Sequence, residues 1–366
     1  MTAEPRDQAR DQDDVLAFLT AQAGGAPVAL RETHISVVVL AGPLVWKLKR
    51  AVKFSYLDFS TPQLRLAACA REIELNRRTA PGLYRAVRRI TRERDGRLVF
   101  DGAGELVDAV VEMNRFDDAT LFDTLARRHV LTHELLTALA REIADFHRVA
   151  AVGAGGAAPI EAVLDLNRDA LAASGAFDPA ALSAYDGAVR AAFAAAAPRL
   201  EARARAGKVR HSHGDLHLRN ICLVDGAPTL FDCIEFDDRL ATIDVLYDLA
   251  FVLMDLWHRD EAVAANWLAN RYLDHADEVD GLPLLPLFMS LRAAVRAHVL
   301  ATQAGSAHGG ADALAAARDY LHLARDLLTP APARLVAIGG FSGTGKSTLA
   351  ASIAPRLGVA PGARVV

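Results

Sequence analysis

Residues 213–238 read HGDLHLRNICLVDGAPTLFDCIEFDD, and the reading of the whole chain turns on them. Asp215 is followed by Asn220, and then by Asp232 after two short apolar runs, ICLV and TLFD, joined around Asp225-Gly226. Asp-Gly between apolar runs is a strong hairpin signal, because both residues tolerate the positive φ that a tight strand-to-strand turn requires. Folding the chain back at this turn sets Ile221 roughly opposite Leu230 and returns Asn220 and Asp232 to the same end of the ribbon. An amide oxygen and two carboxylates then converge on one point. Phosphoryl transfer from ATP needs such a set: one carboxylate to accept a hydroxyl proton, with an Asn and an Asp to hold magnesium. The local alternative is an Asp-rich hairpin that is only a solvated turn.

The string H-G-D-L-H-x-x-N with its downstream, apolar-flanked Asp resembles the catalytic and metal-binding segments of the aminoglycoside phosphotransferase family, a branch of the protein-kinase-like fold. The Asp-to-Asn spacing also matches the protein-kinase catalytic loop. The resemblance implies an α+β, two-lobed fold, with a small β-rich N-lobe over about 14–113 and a large α-rich C-lobe over about 114–328. It implies ATP and Mg2+ as cofactors and a hydroxyl of a small molecule as acceptor. Asp215 is then the catalytic base, His213 orders its loop, and Asn220 and Asp232 are the metal ligands.

Bulk properties exclude several other classes. The 366 residues suffice for two domains, and 52% of them are apolar, enough for a sizeable core. A formal charge of −4 and a pI near 6.3 argue against a nucleic-acid scaffold, which would carry a basic stripe. Cys69, Cys222 and Cys233 form no C-x-x-C pair and fit a reducing compartment. The polar N-terminus has no apolar core for a signal peptide, and the longest apolar run, at 249–257, is interrupted by Asp255. The expectation is a soluble cytoplasmic protein with no nucleic-acid or membrane partner.

Taken in order, residues 1–13 read as a loose tail and 14–22 as a helix ended by Gly24-Gly25. HISVVVL and LVWKLK, parted by Ala41-Gly42-Pro43, read as an antiparallel hairpin. In the second of these strands Lys47 and Lys49 share a face, because side chains alternate with period two. The two lysines are open between a solvated edge strand and the strand Lys that, in the kinase-like fold, contacts the nucleotide phosphates and pairs with a helix Glu. Lys47 is the first candidate and Lys49 the alternative. Ser60-Thr61-Pro62 starts a helix running to about Thr79, which carries Glu72 and Glu74. The segment REIELNRRTAP resembles the corresponding family helix and favours Glu72, although either Glu could equally make a surface pair with Arg77 or Arg78. A second hairpin turns at Asp95-Gly96, another strand covers 106–113, and 112–114 falls where an interlobe hinge would meet adenine.

From Asp118 onward the pattern is helical: 120–128, 132–149, two helices within 163–206, then 240–257, 261–276, 284–302 and 311–328. Asp244 and Asp248 are expected on one helical face. The resemblance gives Asp248 the part of supporting the catalytic loop. His147 is open between a function and a helix-end charge partner. Glu235, Asp237 and Asp238 suit either a cationic acceptor or solvent.

A second phosphate motif follows a Pro-rich linker at 329–333. RLVAIGGFSGTGKSTLAASIAPRLG reads as strand, Gly-rich loop and helix, and Gly340-x-x-x-x-Gly345-Lys346-Ser347 satisfies the Walker A pattern. Gly340, Gly343 and Gly345 would let backbone N–H groups wrap phosphates, with Lys346, Ser347 and Thr348 at the helix start. The arrangement resembles bacterial proteins that fuse an aminoglycoside-phosphotransferase-like domain to a C-terminal P-loop kinase-like ATPase domain. Against that pattern, 334–366 reads as the start of a truncated P-loop domain. This leaves another functional class open: a nucleotide-binding regulatory or substrate-selecting module serving such a domain.

Overall fold

The computed structural model describes residues 5–33, 35–54, 57–305 and 310–366, with side chains from Asp11 onward. They divide into two compact units. The first comprises the chain through Asp118 together with Thr229–Asp238, and the second comprises Ala119–Pro228 and Arg239–Val366. The segment carrying Asp232 therefore belongs with the N-terminal unit, although the chain reaches it only after the 213–220 loop.

In the first unit, α1 (Pro5–Ala21) precedes β1 (Val28–Glu32), β2 (Ser36–Ala41), β3 (Leu44–Lys49), β4 (Lys53–Phe54) and β5 (Leu57–Asp58). Then come α2 (Pro62–Asn76), β6 (Tyr84–Arg92), β7 (Leu98–Phe100) and β8 (Glu105–Asn114). The main sheet has the order β1-β2-β3-β8-β6-β7, antiparallel throughout. Both expected hairpins are present, and the turns at Gly42 and Gly96 adopt positive φ. Two expectations are corrected. The tail expected through Asp13 is helical from Pro5, and the Gln12 amide bonds the Lys49 carbonyl and the Asp108 carboxylate, tying the helix to the sheet. An extra edge strand, β1, pairs with β2, which local sequence did not signal because four of its five residues are exposed.

Val15 and Leu19 of α1, one turn apart, are fully buried against Val39, Trp46, Leu48, Ile90 and Val110 of the sheet. Burying such side chains contributes about 1.5–3 kcal/mol each and fastens α1 to the sheet. On α2, Thr61 caps the first turn by accepting from Leu64 N–H at 3.3 Å, with Pro62 at the first helical position. Arg65 of α2 is buried and reaches Asp108 of β8 at 2.7 Å. The residues expected at an interlobe hinge, 112–114, are the end of β8, where buried Glu112 accepts from the Trp46 indole at 3.1 Å.

The second unit is mostly helical. Its elements are α3 (Phe122–Arg127), α4 (His133–Val149), α5 (Ala158–Ala173), α6 (Pro179–Arg205), β9 (Val209–His211), β10 (Ile221–Val224) and the start of β11 (Ala227–Leu230), whose residues from Thr229 onward belong to the first unit. They continue as α7 (Asp238–Ala241), β12 (Thr242–Asp244), α8 (Val245–His258), α9 (Ala262–His275), α10 (Leu285–Ala304), α11 (Ala311–Asp326) and α12 (Lys346–Ile353). Strands β10 and β11 form the expected two-stranded ribbon, with Asp225 and Gly226 both at positive φ. The helix expected over 240–257 is broken: Thr242–Asp244 is a strand paired with β9, and Asp244 caps α8 by accepting from Leu246 N–H. Asp244 therefore shares no helical face with Asp248. It pairs instead with buried Arg203, at 2.7 Å.

Helix α8 is buried along nearly its whole length, with α9 and α10 packed on it. By length and composition the stretch Val279–Ala304 could cross a membrane, contrary to the expectation that no run is long enough; 67% of its apolar window is buried inside this unit.

Candidate active site

Each unit holds one set of the expected residues. In the first, period-two alternation on β3 turns Lys47 and Lys49 to the same face, beneath α2. Glu72, fully buried on α2, receives both: its Oε1 lies 2.9 Å from Lys47 Nζ, and its Oε2 pairs with Lys49. Glu74 lies out at solvent, paired with Arg71 at 2.9 Å. Lys47 also reaches Asp232 Oδ1 at 2.5 Å, whereas Lys49 turns to Glu235. Lys49 is wholly buried, while Lys47 keeps some exposure and sits against the more open carboxylate, Asp232, whose side chain is 38% exposed.

Three structural bonds fix Asp232. The Thr79 hydroxyl donates to the Leu230 carbonyl at 2.7 Å, the Asp232 N–H donates to the Tyr84 hydroxyl at 3.1 Å, and the Cys233 N–H donates to Asn76 Oδ1 at 2.9 Å. They strap the segment to the end of α2 and the start of β6. Asp232 takes a left-handed φ of 66°, a conformation that Asp tolerates better than most residues. Burial works to discharge Lys47, but the carboxylates of Asp232 and Glu72 outweigh it and hold the ammonium well above its ordinary pKa. Burial raises the Glu235 carboxyl, with Lys49 opposing. Two ammonium groups facing three carboxylates leave this set with an excess of negative charge, which suits an added cation.

In the second unit the chain leaves β9 and turns at His213-Gly214, where Gly214 has φ 83°. The backbone N–H groups of His213 and Gly214 donate to the two oxygens of Asp248, at 3.0 and 2.9 Å. Further along the loop, Leu218 N–H donates to Asp255 Oδ2 at 3.1 Å. Asp248 and Asp255 are two turns apart on α8, so one helix face holds the loop at both ends. Between these points, Asn220 Nδ2 donates to the Asp215 carbonyl at 2.9 Å and to its Oδ2 at 3.0 Å, so the amide nitrogen rather than its oxygen faces Asp215. The Asp215 N–H donates to His213 Nδ1 at 3.4 Å, so the fully buried His213 ring braces the turn.

Charge completes the loop. Burial would raise the Asp215 carboxyl, but His217, His213, Arg292 and Arg296 outweigh it and hold the carboxyl below its ordinary value, so Asp215 is ionised at neutral pH. His217, 3.4 Å from Asp215 Oδ2, is pushed down by burial and is neutral at that pH. Burial acts against the Asp248 charge too, yet the hydrogen bond from His147 and the nearby His213 and Arg292 hold it at about 2.

Sequence alone left the part of His147 open and gave none to Asp255 or His217. His147 lies under the site, its Nε2 3.1 Å from Asp248 and its Nδ1 2.9 Å from the Tyr272 hydroxyl. Asp255 also accepts from the Tyr320 hydroxyl at 3.2 Å. His217 accepts from Arg219 N–H at 3.2 Å and packs edge-on to Phe251. The available signal was Asp248 and Asp255 within the apolar run of α8, because a buried carboxylate needs donors and names a loop to supply them.

The residues present fit ATP and a divalent ion by donor chemistry. Asp232 in the first unit and Asn220 in the second each offer a hard oxygen donor of the kind Mg2+ takes, and Mg2+ is commonly held by one or two carboxylates plus phosphate oxygens rather than by an all-protein cage. Among the described residues no group of three or more His, Cys, Asp or Glu could hold a metal ion.

The second phosphate motif is built differently. Gly343 and Gly345 have φ of 79° and 81°, and α12 begins at Lys346, so Ser347 and Thr348 lie in its first turn. The strand expected before the loop is absent: residues 334–341 take no regular structure, and Leu335 and Phe341 are almost wholly exposed. A strand needs neighbours to bond its N–H and C=O groups, and none is adjacent. The Lys346 ammonium bonds the Phe341 carbonyl at 2.7 Å within its own loop. Residues 357–366 start no second strand. They lie on α9, where Asn266 Nδ2 donates to the Pro361 and Ala363 carbonyls, and Arg364 pairs with Asp274. The segment thus belongs to the second unit and forms no domain of its own.

A family model described as phosphotransferase enzyme family matches residues 49–282. Uncharacterized proteins of Mycobacterium tuberculosis and Mycobacterium bovis are 31% identical over 341 residues, which is 90% of this chain and 66% of each relative. The chain therefore spans just under two thirds of the length of the curated relatives it matches. An amicoumacin kinase in complex with AMP-PNP, Ca2+ and Ami is similar in structure, with TM-score 0.51 and 13% identity over 88% of this chain and 96% of that one. A choline/ethanolamine kinase family protein from Mesorhizobium loti gives TM-score 0.52 and 16% identity over 87% and 95%. These likenesses show the fold, a two-lobed kinase-like one with mixed helices and strands.

Proposed function

Because the chain belongs to the phosphotransferase enzyme family, we propose that it transfers a phosphoryl group from ATP, with Mg2+, to a hydroxyl of a small molecule. The small-molecule kinase expected from the sequence agrees with that membership. The observation that carries the finer reading is the Asp215–Asn220 loop: an ionised carboxylate beside an amide, held by backbone bonds to two buried carboxylates. Such a group costs no reorganisation when it accepts a proton. Asp215 orients the acceptor hydroxyl and takes its proton. His213 steadies the Asp215 backbone by accepting its N–H at the ring nitrogen, and Asn220 steadies the carboxylate through its amide nitrogen. Asn220 and Asp232 would hold the metal, and Lys47, held charged by Glu72 and Asp232, would position the phosphates. Bound Mg2+ would neutralise charge on the transferring group. Glu72 and Lys49 act through Lys47. A cytoplasmic setting, without nucleic-acid or membrane partners, is part of this reading.

The test is a screen of hydroxyl compounds, aminoglycosides included, for phosphorylation by this chain with radiolabelled ATP. We expect transfer to at least one acceptor class with Mg2+ and none with EDTA. ATP binding without transfer to any acceptor would favour the second reading, a regulatory or substrate-selecting module for a longer protein. The specific observation behind that reading is the left-handed glycines at 343 and 345 ahead of α12, together with the greater length of the relatives. On that reading the residues at 334–366 open a P-loop domain, and Lys346→Ala in a longer form of the chain would abolish ATP turnover.

A further inference from the structure

A cavity of about 170 Å³ lies among α5, α6 and α10. Its walls include Leu164, Leu171, Leu182, Tyr185, Val189 and Leu291. One buried polar group also lines it: Asn167, 2% exposed. The Leu291 carbonyl can only accept, so it orients the Asn167 amide, whose Nδ2 donates to it at 3.1 Å. That choice leaves Oδ1 of Asn167 buried, with no donor among the described residues. An unpaired buried acceptor costs roughly 1–3 kcal/mol. Other polar groups in the wall are already committed: the Tyr185 hydroxyl lies 3.3 Å from Ser290 Oγ, and the Arg168 guanidinium pairs with Asp165 at 3.1 Å and Asp169 at 2.8 Å.

We infer that this cavity is a binding site for a small neutral alcohol whose apolar body is about the size of one ring. The volume sets the size, because an apolar cavity of about 150 Å³ takes up benzene. Asn167 sets the chemistry: its free oxygen accepts a hydroxyl proton and would repel a carboxylate. An ammonium group fits less well, because apolar walls penalise a charge. The carboxylate in the lining, Asp186, is already engaged by Arg190, both oxygens at 3.0 Å. No lining residue belongs to 213–220 or 232–235, so the inference stands apart from the phosphotransfer reading.

The experiment compares benzyl alcohol with toluene by ligand-observed NMR and calorimetric titration on the chain as described. Benzyl alcohol should bind roughly tenfold or more tighter than toluene, the worth of about one buried hydrogen bond. Asn167→Leu should bring the two ligands to parity while toluene still binds. Leu182→Trp, at a partly exposed wall position, should exclude both while the circular dichroism spectrum stays that of the parent. Failure of benzyl alcohol to bind, equal affinity for both ligands, or undiminished binding to Leu182→Trp overturns the inference. Should Asn167→Leu fail to fold, the parent protein and Leu182→Trp still decide it.

Discussion

Two loops in this chain carry the residue types of phosphate chemistry, and they differ in what lies beneath them. The loop at 213–220 has its backbone N–H groups seated on Asp248 and Asp255, two buried carboxylates of a buried helix. The loop at 340–347 has the more restrictive sequence pattern, yet its lysine bonds a carbonyl of its own loop and its flanking apolar residues face solvent. A motif states which atoms are available. A scaffold decides whether they are held where chemistry needs them, and holding them beforehand is the larger part of electrostatic catalysis.

The contrast can be broken most directly at Asp215. Asp215→Asn should lower phosphoryl transfer to an identified acceptor by roughly 10²–10⁴-fold, the usual worth of a general base. Its affinity for ATP should stay within about twofold, because binding and proton transfer rest on different groups. Retention of full transfer would show that the loop is only a turn. Asp248→Ala tests the scaffold itself: it strands the N–H groups of His213 and Gly214 and the ring of His147, and should cost about 3 kcal/mol or more in urea unfolding. An unchanged unfolding midpoint would mean that the loop holds itself.

The pH dependence sharpens the same point. Asp248 is held at about 2, below its ordinary value near 4, so its ionised form stabilises the fold. That contribution is complete above about pH 4 and is lost as pH falls through about 2, amounting to about 2 kcal/mol. Thermal melts from pH 6 to pH 2 should show the parent protein losing this increment relative to Asp248→Asn; parallel curves would contradict it. The smallest effect is expected at the other loop. Lys346→Ala should leave stability within about 0.5 kcal/mol, as for an exposed side chain away from any packed feature, and should leave phosphoryl transfer by this chain unchanged. A marked loss of transfer would reverse the ranking of the two loops.

Much of the fold was legible because its signals are local. Asp95-Gly96 and Asp225-Gly226 both turn the chain, with positive φ at Gly96, Asp225 and Gly226. Thr61 and Thr132 cap helices that begin one residue later, as their hydroxyls predict. What escaped the reading depends on partners distant in the chain. Thr242–Asp244 follows a helical pattern and becomes a strand only because β9 offers an edge. RLVAIGG reads as a strand and stays unpaired because no strand lies beside it. His147 reads as the end of an amphipathic helix, and nothing near it announces Asp248, far along the chain, as its partner.

The sequence by itself determined the chemistry-bearing residues and the turns that carry them, since residue type and short-range φ preference act within a few positions. It determined that Asp215 and Asn220 share one loop and that Lys47 and Lys49 share one strand face. Only the tertiary structure decided that Glu72 rather than Glu74 meets both lysines and that Asp232 joins Lys47 rather than Lys49. It alone decided that Asp215 is ionised while neighbouring His217 is neutral. Those outcomes rest on burial and on charges brought close from remote positions, and a chain acquires neither before it packs.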